Sequence, residues 1–282
     1  MLRCFKVLLL LYSQAAWANP AVWVAHGPQA TVYLFGSVHF LRAGTEWQGP
    51  AVRRAFEAAS ECWFEVKPPE NPAKLRALIS HAGYDPSQRL YDLLTDAEYG
   101  KLIAVAQDAG LSQIGLDAMR PWLVLLRLEE RLSIKAGYDP DLGADEVLLQ
   151  QAKAAGKEVF GIEQDESHIH LFADLPQDLA LQALKRLLDE SAEWPVQIGQ
   201  VIADWQAGQA STLVAKDFPE NLAAFQEIVV AKRNAMFANT IENLLTGSKT
   251  ILVTVGVGHL DGPGNVRESL KARGIAVERV PD

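Results

Sequence analysis

The chain has 282 residues, of which 49% are hydrophobic and 22% are charged, and its formal net charge is −9. No dense stripe of lysine and arginine offsets this acidity, which argues against a nucleic acid or an anionic lipid surface as the partner. No apolar run approaches the roughly 18 residues needed to cross a bilayer, so the pattern also argues against a membrane-spanning protein.

Residues 1–18 have the pattern of a secretory signal. A basic start and a short apolar stretch precede Ala16-Trp17-Ala18, which is a small-x-small cleavage site. Cleavage there would leave Cys62 as the only thiol, so no intrachain disulfide can form. We therefore expect an exported protein, periplasmic or secreted, in which residues 19–282 fold as one α/β domain around a single core.

The beginning of the mature chain has the pattern of a βαβ unit. Ala21–Ala25 and Thr31–Val38 are β-rich runs separated by a Gly-Pro turn, which predicts a hairpin. Apolar residues with helical spacing follow over Gln48–Ala59, and Glu61–Val66 is predicted to be a buried strand. Strand, helix and strand in succession predict a sheet that is at least partly parallel.

A mostly helical region of about residues 71–247 follows. It contains a capping box at Thr95-x-x-Glu98, and a proline begins a predicted helix over Pro121–Lys135. Further helices are predicted over Ala144–Ala155, Leu175–Ala207 and Glu220–Leu245. We interpret the region as a large insertion that covers the functional site. A separate helical domain is the alternative, although no Gly/Ser-rich or Pro-rich linker marks its boundary.

Three further strands complete the predicted sheet. Lys157–Ile162, within the helical region, is predicted to be a third inner strand. Thr250–Val257 is strongly β-branched, and Ile275–Val280 is predicted to be a final edge strand. The predicted fold class is therefore α/β, with a central mixed, partly parallel sheet and a large helical insertion.

Chemically active side chains occur at the ends of four predicted strands. His39 follows the first long strand, Glu65 lies near the end of the next, Glu163 follows Lys157–Ile162, and His259 follows Thr250–Val257. Both histidines stand in a Gly-x-x-His pattern. Since ligands of open α/β sheets bind beyond the carboxyl ends of the strands, we expect the two imidazoles and two carboxylates to converge.

This set of donors predicts a divalent metal ion, with manganese, cobalt and zinc as candidates. His39, His259 and at least one of Glu65 and Glu163 would bind the ion. The remaining glutamate would act as general base toward a metal-activated water, so the predicted reaction is a hydrolysis. The sequence does not decide which glutamate has which role.

Arg233 interrupts the apolar stripe of the predicted helix Glu220–Leu245. An arginine that faces the core needs a partner, so Arg233 is a candidate catalytic residue that pairs with a site carboxylate or stabilises an oxyanion. The alternative is a stem packed on apolar surface with its head in solvent. His168 and His170 would diverge on a helix, so we do not predict that they chelate an ion together.

The same residues carry a family resemblance. The stretch Tyr33–His39, Trp63-Phe64-Glu65, Gly161-Ile162-Glu163, Arg233-Asn234 and Gly258-His259-Leu260 resemble motifs of the TraB/PrgY/GumN family, which includes the animal Tiki proteins. The resemblance covers nearly the whole mature chain. It implies an α/β fold like that of the erythromycin esterases and the ChaN haem-binding proteins. It also implies a metal-dependent peptidase activity on a peptide or protein substrate, as known for Tiki-type members.

Two other functions fit the same residues. A non-catalytic ligand-binding or haem-binding protein would use the same cleft, as the likeness to ChaN implies. A metal-free, esterase-like enzyme would use one histidine as the base and Arg233 as the contact for an anion. The sequence contains no Gly-rich phosphate loop and no serine nucleophile elbow, which argues against kinases, dehydrogenases and serine esterases.

Overall fold

The structure, a computed structural model, describes residues 19–69, 71–209 and 223–282. The predicted signal segment therefore lies outside the described residues. Within them the strands form a six-stranded sheet in the order β4-β3-β5-β2-β1-β6. The strands are β1 (Val22–His26), β2 (Thr31–Ser37), β3 (Glu61–Val66), β4 (Glu158–Glu163), β5 (Thr250–Gly256) and β6 (Val277–Arg279).

The pairing of the strands confirms the predicted mixed sheet. β1 and β2 form the expected antiparallel hairpin, and β6 pairs antiparallel with β1 at one edge. β2 pairs in parallel with β5, β5 with β3, and β3 with β4. The four parallel strands therefore present their carboxyl ends at the same side of the sheet, where a ligand site is expected.

The position of β4 differs from the prediction. The sequence predicts an inner strand over Lys157–Ile162, whereas β4 covers Glu158–Glu163 and forms the edge of the sheet opposite β6. Its middle residues are only half-buried, and Phe160 stacks on Trp63 of β3 with the ring centroids 4.8 Å apart. An apolar edge strand covered by side chains has the same sequence pattern as an inner strand, so periodicity does not distinguish them.

Most predicted helices are present. The helices of the described residues are α1 (Pro50–Ala58), α2 (Pro72–Gly83), α3 (Leu90–Leu93), α4 (Asp96–Asp108), α5 (Pro121–Lys135), α6 (Ala144–Ala154), α7 (Asp165–Ala173), α8 (Gln177–Glu190), α9 (Trp194–Gln206), α10 (Ala223–Gln226), α11 (Lys232–Leu245), α12 (Val257–Leu260) and α13 (Val266–Ala272). The capping box of Thr95 and Glu98 at the start of α4 is confirmed. The range Leu175–Ala207 contains two helices rather than one, because Pro195 fits only the first turn of α9.

Buried apolar side chains form three clusters rather than the single core that we expected. One lies within the helical region and extends from Leu90 to Leu188. The other two cover opposite faces of the sheet. Alternation along β5 places Leu252 in the cluster with α1, α6 and α9, and Val253 in the cluster with α11 and α13. Among the described residues no helix is long and apolar enough to cross a membrane.

Candidate active site

The two Gly-x-x-His stretches lie side by side at the ends of neighbouring parallel strands. Ser37, the last residue of β2, is paired with Gly256, the last residue of β5. A methyl group on the α-carbon of Gly256 would lie 3.7 Å from His39 Nε2 and 3.7 Å from His259 Cδ2. The two histidine rings therefore lie next to the same residue, Gly256.

The predicted glutamates reach this place from β3 and β4. Glu65 Oε1 accepts a hydrogen bond from the backbone N–H of Gly256 at 2.5 Å and lies 3.7 Å from His259 Nε2. Glu163 is the last residue of β4, and its side chain is 7% exposed. The two carboxylates are joined through the side chain of Arg233.

Arg233 lies at the centre of the cluster. Its Nε and Nη2 donate to the two oxygens of Glu163 at 2.8 and 2.9 Å, and Nη2 also donates to Glu65 at 2.6 Å. Nη1 lies 3.3 Å from the Val229 carbonyl oxygen and 3.0 Å from His259 Nε2. These contacts account for all five N–H bonds of the guanidinium. The alternative of a head group in solvent is wrong, because Arg233 is 7% exposed.

The chain before Arg233 departs from regular helix. Residues Glu227–Ala231 form a π-helical turn between α10 and α11, and Val229, which accepts from the guanidinium, belongs to that turn. Single π turns inside helices are common at functional sites. The helix is predicted correctly within the described residues, but its periodicity did not indicate this turn.

Asn234 determines which nitrogen of His259 carries the proton. The amide nitrogen of Asn234 donates to the Gly264 carbonyl at 2.8 Å, so its Oδ1 accepts from His259 Nδ1 at 2.7 Å. We therefore assign the Nδ1–H tautomer, in which the lone pair of Nε2 accepts from Arg233. Burial, assisted by the charge of Arg233, lowers the pKa of His259 to about 4. The ring is thus neutral at pH 7.

His39 has a different environment. Its side chain is 58% exposed, and Nδ1 lies 2.6 Å from the Asp145 carboxylate, which raises the pKa of the ring. Gly143 permits this contact, because a β-carbon there would lie 2.5 Å from the His39 carbonyl oxygen. The carboxylate only accepts, so Nδ1 donates, and a metal ion that binds at Nε2 would displace the proton that the raised pKa keeps there.

Both glutamates are held in the ionised form. Burial opposes this by raising the pKa of a carboxyl group, but Arg233 and the two predicted histidines together lower the pKa of Glu65 to about 2. Hydrogen bonds from His168 and Arg233 likewise overcome burial and lower the pKa of Glu163. Two carboxylates around one guanidinium leave an excess of negative charge that favours a cation beside them.

His168 belongs to the same site, although the sequence patterns did not identify it. It lies on α7, and its Nδ1 donates to Glu163 at 3.0 Å. His170 instead faces Asp174, so the two rings diverge as expected. The sequence contains one indication of this contact, which is that His168 follows Glu163 by only five residues. Glu163 ends a strand and His168 lies in the first turns of the next helix, so the His168 side chain can contact the end of that strand.

A cavity of about 220 Å³ adjoins the cluster and is lined by His39, Glu65, Asp145 and His168, among others. A larger surface cleft, of about 610 Å³, lies beside α13 and β6. We consider the smaller cavity to be the functional one, because the larger cleft contains none of the five predicted site residues.

The imidazole and carboxylate groups of the site are suitable ligands for a divalent ion, but their positions in the described part of the chain do not form a ligand cage. Imidazole nitrogens and carboxylate oxygens suit manganese, cobalt and zinc, and His39 has the carboxylate partner common to metal-binding histidines. Among the described residues, no three His, Cys, Asp or Glu side chains are grouped so that they could hold an ion. Arg233 lies between His259 and the two glutamates. His39 and Glu65 are therefore the better placed donors, whereas Arg233 already occupies His259 Nε2 and both oxygens of Glu163.

Known proteins similar to this chain give its family but no activity. It is 22% identical to the uncharacterized protein YbaP of Escherichia coli (strain K12) over 187 residues, which are 65% of this chain and 69% of that protein. YbaP of Shigella flexneri gives the same values. An uncharacterized protein of Treponema pallidum (strain Nichols) is 21% identical over 267 residues, which are 89% of this chain and 80% of that protein.

No solved structure matches the chain significantly. The TraB/PrgY/gumN family matches residues 21–279, a range that contains every residue of the candidate site. The family resemblance inferred from the motifs is therefore confirmed. The chain belongs to the TraB/PrgY/gumN family.

Proposed function

We propose that this protein is a metal-dependent hydrolase that acts on a peptide or protein. The observation that best supports the proposal is the convergence of His39, Glu65, Glu163 and His259 around Arg233 and Gly256, although they come from the ends of four different strands. Of the four, His39 and Glu65 line the adjoining cavity. Burying ionised carboxylates is costly even when they are paired. A site of this composition at the carboxyl ends of parallel strands is more readily explained by catalysis than by stability.

Each residue then has a role. A manganese, cobalt or zinc ion held first by His39 and Glu65 would, when bound, supply a water that ionises near neutral pH. Asp145 orients His39 through Nδ1. Glu163, which Arg233 and His168 keep ionised, is the candidate general base. Arg233 is placed to stabilise negative charge that develops on the substrate.

The test is peptide hydrolysis by the purified chain after loading with Mn²⁺, Co²⁺ or Zn²⁺. A tryptic digest of casein serves as the substrate mixture, and new peptide ends are detected by mass spectrometry. We expect cleavage that EDTA abolishes and that Glu65→Gln lowers by at least about 100-fold. Glu57→Gln, an exposed position on α1, is the matched control and should leave cleavage unchanged. Absence of cleavage with every metal would contradict the proposal.

A metal-free hydrolase is the second candidate, because Arg233 already occupies the lone pair of His259 Nε2. The pair of His39 and Asp145 has the arrangement of a general base with an orienting carboxylate. Arg233 would then bind the anionic intermediate. Cleavage that survives complete chelation but is lost in His39→Gln would support this mechanism over the metal-dependent one.

A further inference from the structure

Two histidines, each paired with a carboxylate, line the same cavity. His39 Nδ1 donates to Asp145 at 2.6 Å, and His168 Nδ1 lies 3.0 Å from Glu163 Oε2. In both rings Nδ1 is occupied, and Nε2 is the nitrogen that can meet a ligand. His39 has a role in the proposed reaction. His168 contacts Glu163 through Nδ1, but its Nε2 has no role in that reaction.

Thr254 lines the same cavity and carries a buried hydroxyl group. It lies on β5, is 1% exposed, and its Oγ1 has no hydrogen-bond partner among the described residues. Buried hydroxyl groups nearly always have a partner, and leaving one unpaired is costly. An unpaired hydroxyl beside a cavity indicates that a ligand group completes its hydrogen bonding.

We propose that Thr254 and His168 bind an amide group of the substrate in this cavity, an inference that rests on the proposed hydrolytic function. In the tautomer of His168 whose Nδ1–H donates to Glu163, Nε2 is an acceptor, while the hydroxyl of Thr254 can donate. One acceptor and one donor match the N–H and the C=O of an amide.

The remaining walls fit the same ligand. Phe64, Val66 and Leu149 present apolar surface to the cavity, which suits the carbon atoms on either side of an amide. A volume of about 220 Å³ accommodates one amide with its flanking atoms. The substrate group that fits this cavity is therefore an amide with apolar atoms on either side.

Thr254→Val tests whether the hydroxyl is unpaired. Ser133→Ala is the matched control, since Ser133 is fully buried, donates to the Glu129 carbonyl at 2.7 Å and accepts from Trp194 Nε1 at 3.1 Å. We expect Thr254→Val to unfold at the same or a higher urea concentration than the wild type, and Ser133→Ala at a lower one. Equal destabilisation of both variants would mean that the Thr254 hydroxyl is a structural group, and would overturn the proposal.

The amide site itself is tested with N-methylacetamide as the probe. It is titrated into the metal-free, methyl-labelled protein, and NMR follows the methyl signals of Val66 and Leu149. We expect saturable shifts in the wild type and in Ser133→Ala, with a Kd about 3- to 10-fold weaker in Thr254→Val. N,N-dimethylacetamide, which lacks the N–H, should bind the wild type more weakly by a similar factor.

The outcomes separate the two proposals. Absence of saturable shifts in the wild type, or equal affinity in Thr254→Val, would overturn the amide site. Probe binding with the expected weakening in Thr254→Val, together with absence of peptide cleavage, would support the amide site and refute the hydrolytic function. The measurement needs no turnover, so the failure of one proposal is not mistaken for the failure of the other.

Discussion

The surroundings of His39 and His259 differ although the two residues share the Gly-x-x-His pattern and neighbouring parallel strands. His39 is exposed and pairs with a carboxylate, which raises its pKa. His259 is buried, pairs with the amide of Asn234 and has its pKa lowered to about 4. The local motif thus places a ring at the strand end, while its surroundings, burial for His259 and the Asp145 carboxylate for His39, decide whether that ring carries a charge.

The difference divides the site into two halves with separate tasks. The His259 half is a closed network in which Arg233, Asn234 and two glutamates satisfy one another. The His39 half is open to the cavity and keeps Nε2 available to a ligand. Mutations in the first half should therefore affect both stability and binding, whereas those in the second should mainly affect binding.

The largest effect is expected from Arg233→Met. The substitution leaves Glu65 and Glu163 buried without their cation, and we expect a loss of about 3 to 5 kcal/mol in the free energy of unfolding. Urea denaturation measures the loss. Arg127→Met is the control, because Arg127 is half exposed near Glu130 and should change stability by less than about 1 kcal/mol. Similar values for both variants would show that the buried network is not formed.

The two histidines should respond unequally to replacement by glutamine. His259→Gln disrupts buried contacts to Asn234 and Arg233, which should cost about 1 to 3 kcal/mol. His39→Gln loses only an exposed pair with Asp145, so we expect a change of about 0 to 1 kcal/mol. Comparison of the two unfolding curves checks the division into halves. A larger loss of unfolding free energy in His39→Gln than in His259→Gln would contradict this division.

The pH dependence of stability tests the neutral state of His259. The unfolded ring takes up a proton near pH 6.5, whereas the folded ring stays neutral until about pH 4. At His259 the unfolded state therefore binds more protons in this window, and this contribution to stability falls by about 2 kcal/mol between pH 7 and pH 5, while the raised pKa of His39 opposes part of the fall. Below about pH 4.5 the low pKa of Glu65, about 2, adds a second decrease in the same direction. The first decrease should be absent in His259→Gln, and its persistence there would assign it to another group.

The smallest effect on stability is expected from Gly256→Ala, which adds a methyl group between the halves. That group would lie 3.2 Å from Glu65 Oε1 and 3.7 Å from His39 Nε2, while the φ of −52° at Gly256 suits alanine. We expect a change in stability below about 1 kcal/mol but a 10- to 100-fold loss of metal affinity. Gly100→Ala is the control, because Gly100 lies on α4 with open space around its α-carbon. This variant should be more stable by about 0.5 to 1 kcal/mol and should keep its metal affinity. Equal metal affinity in both variants would move the ion away from Gly256.

Much of the fold follows from patterns that act over a few residues. The helix Pro121–Lys135 and the strand Glu61–Val66 have the predicted limits, because proline geometry and short apolar runs act locally. The edge position of β4 was not predictable in this way. It depends on which strand β3 pairs with, and that choice is made by residues far away in the chain.

The part of the site around Arg233 was predictable, because a buried charged side chain requires a partner of opposite charge. Arg233 on an apolar stripe had to meet a carboxylate, and Glu65 and Glu163 are the residues that it contacts. The contact of Asp145 with His39 spans 106 residues, and it depends on the close approach that Gly143 allows. The sequence contains no periodic signal for such a contact.

The central claim is that the two Gly-x-x-His histidines serve one metal site. Elemental analysis of the natively purified chain and of His39→Ala and His259→Ala tests it most directly, with His170→Ala, an exposed ring, as the control. The account predicts about one Mn, Co or Zn ion per chain in the wild type and in His170→Ala, and loss of the ion in both other variants while they still unfold cooperatively. Full metal occupancy in His39→Ala or His259→Ala would contradict it.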